Sequence, residues 1–288
     1  MNVELAEERI IVLSDRVTME NAQARAWTKR VEAFGTVAKL SGLLSKPKDE
    51  DYECVYRERR LQPFWRLTSH SVFAYERARD YQIAVAPDVR AVQVAGEDRA
   101  VTDRRFTLSG LERCVEDVRR DTFVDGLTGE TDPKLAAYTE FHAAQATAES
   151  LAAIAKDGTV VVPPKVRASV LVRDAIAAAI IKVDADRVLE EQVRLEAVDL
   201  YYRPVFAFRF RRGGKEAVVE YDALTGEVHT AGSTFEQHMG KIMEPRFLHD
   251  VGAEAANLFI PGATIAKIVF VKGLEMRDRK AAAGRDGG

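Results

Sequence analysis

Cysteine is scarce in this chain: two residues, Cys54 and Cys114, among 288. So thin a supply excludes a small disulfide-stapled scaffold and a zinc ribbon, which needs clustered C-x-x-C pairs. It favours a reducing compartment with both thiols free, and their spacing does not argue for a bond between them. The N-terminal stretch MNVELAEERIIVLSDR has no basic n-region and no apolar h-region, so no secretory signal is expected and the chain reads as cytoplasmic. Long apolar runs are missing too. The longest, Leu258–Val271, is broken by Pro261, Gly262 and Lys267, short of the ~20 apolar residues of a spanning helix. Charge of one sign is also lacking. A net charge of −3 supplies no general field for nucleic acid. The basic pairs Arg59–Arg60, Arg104–Arg105 and Arg119–Arg120 are interleaved with acids and read as solvated faces.

Catalytic signatures are equally absent. There is no Walker A loop, no G-x-G-x-x-G after a strand, no H-E-x-x-H and no nucleophile elbow, so no cofactor is expected. His229, His238 and His249 stand near Asp250 and Glu254, residue types that suit zinc or iron, but their spacing matches no helical or hairpin ligand set. Asp222, Glu227 and His229, with Asp125 and Glu130 elsewhere, are the residues from which an acid–base site would be assembled.

What is present is the balance of a folded protein, 47% hydrophobic and 30% charged. The pattern predicts a strand at Arg9–Leu13, a helix from about Thr18 to Leu44, and a polar boundary at Ser45–Asp51. Short strands are expected at Phe64–Leu67, Val72–Tyr75, Tyr81–Val85 and Val89–Val94. Ser109-Gly-Leu-Glu112 fits a capping box opening a helix to about Arg120, although Cys114, Val115, Val118 and Phe123 also suit a strand. Asp132-Pro133 opens a helix that Gly158 closes. A strand at Thr159–Val162, a break at Pro163-Pro164 and a helix over about Lys165–Ile181 follow.

Residues Val198 to Phe210 carry apolar side chains at even positions, the period of a half-buried strand. The phase slips at Ala197–Val198, which predicts a bulge, and Pro204 implies an edge or a second irregularity. Gly213-Gly214 predicts a hairpin in which Phe210 faces Ala217, Phe208 faces Val219 and Phe206 faces Tyr221. The string DALTGE, residues 222–227, then reads as a turn in which Asp222 bonds the backbone and Gly226 supplies a positive φ.

Residues 125–130 read DGLTGE, nearly the same word, and Val72-Phe-Ala-Tyr75 echoes Val205-Phe-Ala-Phe208. A diverged duplication and two sheets sharing a favourable turn both explain this. Asp125, Thr128, Gly129, Asp222, Thr225 and Gly226 are read as turn formers. The stretch Glu220-Tyr-Asp222-Ala-Leu-Thr225-Gly226-Glu-Val228, after the helix at 165–181, resembles a PepSY-type module over about residues 165–230. That resemblance implies a small non-catalytic binding or regulatory unit of the kind associated with peptidase regulation.

The expected architecture is α+β: an N-terminal strand and helix (1–50), a first antiparallel β module (51–131), a helical connector (132–182), a second β module (183–272) and a disordered tail (273–288). The expected function is a non-enzymatic interaction, scaffold or regulatory protein. The alternatives are a hydrolase near Asp222, Glu227 and His229, and a peptidase regulator. Ile265–Val271 is a candidate strand for pairing with another protein or a second copy, or an inner strand of the same sheet.

Overall fold

The computed structural model describes residues 1–35, 48–230, 232 and 234. His238, His249, the Ile265–Val271 strand and the tail lie outside the described residues. The fold is α+β, and its sheet is mixed rather than purely antiparallel. In chain order the elements are β1 (Asn2–Leu5), β2 (Glu8–Leu13), α1 (Met19–Ala33), β3 (Glu53–Ala84), β4 (Ala91–Val94), β5 (Glu97–Ala100) and β6 (Arg105–Asp125). A 3-10 helix (Pro133–Glu140), β7 (Ala143–Ala146), α2 (Ala148–Lys156), β8 (Val160–Val161), α3 (Ala168–Ala179), β9 (Arg187–Arg212), β10 (Lys215–Asp222) and β11 (Val228–His229) follow. No helix among the described residues is long and apolar enough to cross a membrane.

The expected separate β modules are one sheet. β3 and β9 pair antiparallel from Glu53–Arg211 to Glu76–Arg187. β10, β2 and β1 line the far edge of β9, while β6 and β8 line the far edge of β3. The short strands expected between Phe64 and Ala84 fuse into a single strand of 32 residues. Their alternation is muted because both faces of the sheet are covered there, so Leu61 through Trp65 are all buried. The helix expected at Ser109–Arg120 is strand instead. β6 pairs with β3 without a register shift from Phe64–Asp125 to Ala84–Arg105, and the Tyr81 ring lies 3.3 Å from where a Gly110 Cβ would stand, covering that glycine across the ladder. The single helix expected over 132–158 is split. Asp132 caps a 3-10 turn, β7 pairs with β2, and Thr147 caps α2 through Ser150.

The hairpin at Gly213-Gly214 has the expected register, and both glycines have positive φ, 52° and 76°. The slip near Ala197 is a register shift opposite Thr68 and Ser69 that leaves Glu196 unpaired in the ladder. Pro204 sits inside the sheet, at the gap where β2 ends (opposite Tyr202) and β10 ends (opposite Val205). No ladder donor is required of it there.

One face of the sheet carries the three α-helices. Phe206, Phe208, Phe210 and Tyr221 pack on Ala22 and Ala26 of α1, and Trp27 meets Phe210 edge-on at 5.5 Å between centroids. Leu61, Trp65, Leu195, Leu200 and Tyr202 pack on Leu151 of α2 and Val172 of α3. The opposite face carries the 3-10 helix, whose Leu135 and Tyr138 cover Phe64 and Tyr201.

Beyond Glu76, β3 has no strand partner on the β9 side among the described residues, yet its ladder with β6 continues through Ala84–Arg105 to a tip bearing the β4–β5 hairpin. Residues 77–112 therefore form an arm. Asp186 donates its N–H to the Glu76 carbonyl, and its side chain accepts the Ala78 N–H, closing the point where β9 departs.

Candidate functional site

The two near-identical hexapeptides occupy the same place relative to their strands. Asp125 ends β6 opposite Phe64, and Asp222 ends β10 opposite Val205. Each of those partners follows a proline, Pro63 or Pro204. The Asp125 carboxylate accepts the N–H groups of Leu127 and Thr128, both at 2.8 Å; that of Asp222 accepts Leu224 and Thr225, both at 2.9 Å. Gly129 donates to the Asp125 carbonyl as Gly226 does to that of Asp222, and both glycines have positive φ. The Thr128 and Thr225 hydroxyls accept from Glu130 and Glu227. Gly126 donates to the Pro63 carbonyl and Ala223 to the Pro204 carbonyl. All six residues read as turn formers take part in these bonds.

The correspondence reaches further than the sequence signal. Arg16 and Lys165, each just ahead of a helix, donate their backbone N–H to Ala223 and Gly126 respectively. Their side chains reach the Leu224 and Thr128 carbonyls. β2 runs parallel to β9 and β8 parallel to β3, with Ile11 facing Tyr201 and Val160 facing Arg60, each three residues before its strand's proline. Gln62 and Arg203, each just before its proline, face one another at the centre of this arrangement. The Val72–Tyr75 and Val205–Phe208 echo does not share it: a glycine hairpin follows Phe208 soon after, whereas β3 runs on through Arg77–Asp80 without a turn.

The corners differ in what surrounds them. Asp222 is 2% exposed, and its second oxygen accepts the Tyr138 hydroxyl at 2.6 Å and Arg203 Nη1 at 2.7 Å. Arg203 also donates to Gln62 at 3.0 Å, and its guanidinium lies 4.9 Å from the centroid of the Tyr138 ring. Burial first, opposed by the Arg203 charge and aided by the bond to Asp222, pushes the Tyr138 hydroxyl up to about 12, so it stays a proton donor at neutral pH. Four donors occupy the Asp222 carboxylate. Glu227 and His229 stand 3.8 Å apart, both mostly exposed, and do not join Asp222 in a pocket.

Beside this corner is a cleft of about 310 Å³, lined by Arg16, Val17, Arg25, Tyr221 and residues 223–226. Arg25 donates to the Tyr221 hydroxyl at 3.0 Å. The lining carries the guanidinium groups of Arg16 and Arg25 and the hydroxyl-bearing residues Tyr221 and Thr225. Among the described residues no three His, Cys, Asp or Glu side chains are grouped to hold a metal ion. Cys54 and Cys114 are free thiols, and burial raises the Cys54 thiol above its ordinary range.

Sequence reasoning missed Tyr138, Arg203, Gln62, Arg16 and Lys165. A signal existed for the last two: Arg16-Val17 and Lys165-Val166 each follow an apolar strand and precede a helix. Tyr138 of the 3-10 helix and Arg203 of β9 meet from distant sequence positions and carry no local pattern. No known protein family, curated protein or solved structure matches the chain.

Proposed function

We propose that this chain is a non-enzymatic interaction protein, a scaffold or regulatory subunit that presents the 77–112 arm and the outer edge of β6 to another protein. The observation that carries this reading is the arm itself. Its strands continue past the covered sheet and hold Leu111 at 59% exposure, and just below the arm, on the outer strand β6, Val115 is 68% exposed. A photo-crosslinking residue placed at Val115 in the producing cell is expected to give a protein adduct, while the same probe at exposed Lys156 gives none. Equal or absent labelling at the two positions overturns the reading.

The order strand, helix, long strand, return strand and Asp-turn in both halves supports two further proposals. One is that the halves are a diverged duplication. The other is that each is a PepSY-like unit, which would extend the resemblance from the second half to the first and keep peptidase regulation as a narrower form of the same reading. A hydrolase near Asp222, Glu227 and His229 finds less support, because Asp222 is spent on structure and the other two are solvated. Two free thiols support a cytoplasmic setting, and mixed charge supports a protein partner over nucleic acid.

A further inference from the structure

Among the described residues, the one strand that β6 pairs with is β3. Among the described residues its outer edge meets no strand from Arg105 until the bridge between Val124 and Thr131. Open edges of this length are ordinarily guarded by charged side chains, lysine above all, by proline or by a bulge, and here the only guard is charge of both signs. Between Arg105 and Asp125 there is no lysine and no proline, and the register never shifts. The backbone groups that face outward can be identified. Asp125 donates to the Glu130 carbonyl and Phe123 accepts from Asp132, so odd-numbered residues point away from β3. With the register unbroken, the same holds for Asp117 and Arg119.

The middle of this edge reads Glu116-Asp117-Val118-Arg119-Arg120: two acids, one apolar residue, two bases. Read against itself in the antiparallel sense, the segment is complementary. We propose that two copies of this chain pair antiparallel along β6 about a twofold through Val118, a partner choice that rests on the interaction reading above. In that register Asp117 and the partner's Arg119 exchange backbone hydrogen bonds while their side chains attract. Glu116 faces the partner's Arg120, and the two Val118 side chains meet at the centre. Shifting the centre by one residue sets Asp117 against Asp117, or Arg119 against Arg119, so charge selects one register. The four charged side chains are already held along the edge by inward contacts. Glu116 accepts from Tyr75, Asp117 pairs with His70, Arg119 pairs with Glu196, and Arg120 donates to the Ala178 carbonyl. Pairing would join the two nine-stranded sheets into one.

The palindrome supplies its own test, read by light scattering across a concentration series of the full chain. Wild type is expected to reach twice the 32.0 kDa chain mass. E116R/D117R makes the segment wholly basic and R119E/R120E makes it wholly acidic, so each is expected to run as a monomer. Mixed one to one, they restore every opposite-charge pair and are expected to form a dimer containing one of each, counted by native mass spectrometry. Arg119→Pro removes an outward N–H without touching the ladder to β3, and is expected to give a folded monomer even if the charge variants fail to fold. Wild type at single-chain mass at the highest concentration reached, a dimer that persists in the proline variant, or folded charge variants that do not associate when mixed would each overturn the proposal. If wild type is monomeric while Val115 still crosslinks to a different protein, self-pairing fails and the broader interaction reading stands.

Discussion

At the residue scale, the two corners show how one backbone design tolerates different side chains. Gly126 and Ala223 occupy equivalent places, yet a Cβ on Gly126 would lie 2.4 Å from the Pro63 carbonyl oxygen, whereas Ala223 is accommodated and buried. Gly126→Ala is therefore expected to cost about 1–3 kcal/mol in denaturant unfolding, since backbone must shift to admit the methyl. Tyr138 gives a pH signature. Its folded-state value, about 12, lies above the ordinary tyrosine value of 10, so the stability it contributes is complete below pH 10 and is lost as pH rises toward 12. The stability advantage of wild type over Tyr138→Phe is expected to shrink by about 2–3 kcal/mol between those limits, measured as paired urea titrations. An advantage that stays flat with pH would show that burial does not hold this proton. Asp222 was legible in the sequence as a turn former because its partners lie within three residues. Its bonds to Tyr138 and Arg203 were not, because contacts over such separations leave no trace in local spacing.

At the element scale, legibility follows how many faces of a strand are covered. The β9–β10 hairpin could be read to the residue: Phe206, Phe208 and Phe210 alternate with more polar neighbours, and two glycines fix the turn. β3 could not, because helices on one face and the 3-10 helix on the other leave its middle without a polar phase. Its two outer portions then look like separate strands. β6 failed for the opposite reason. Its half-buried and exposed positions alternate from Phe106 to Arg119, but Glu112 and Glu116 stand on the half-buried face and Leu111 and Val115 on the exposed one, so a capping-box spacing outweighed the period. Close helix packing is the clearest consequence at this scale. α1 lies on three phenylalanines through Ala22 and Ala26, both with no exposed surface. Ala26→Leu is expected to overpack that contact and lower stability by about 1–3 kcal/mol, with a downward shift of Tm in calorimetry. An unchanged Tm would mean that the helix can ride outward at no cost.

At the scale of the whole molecule, the crossed short strands matter most. β2 of the first half completes the second half's long strand, and β8 of the second half pairs with the first half's. Neither half owns a finished sheet. Fragments 1–146 and 147–288 are accordingly expected to be unstructured or insoluble when produced alone, and to regain the circular dichroism of the intact chain when refolded together. A folded, monomeric 1–146 fragment would refute this. The intact chain is expected to unfold in one cooperative step, and to fold slowly, since most of its pairings join residues far apart in sequence. This interdependence was hidden in the sequence, where a boundary at Ser45–Asp51 and an Ala-rich stretch resembled divisions between modules. The arm has a consequence of another kind. β3 runs without interruption from the arm into the middle of the sheet, where it is hydrogen-bonded on both sides. A pull on the arm along its axis would load those bonds together in shear rather than one by one from an end. The arm is thus anchored against axial load, and force applied to it would reach the body of the protein before the ladder peeled from an end.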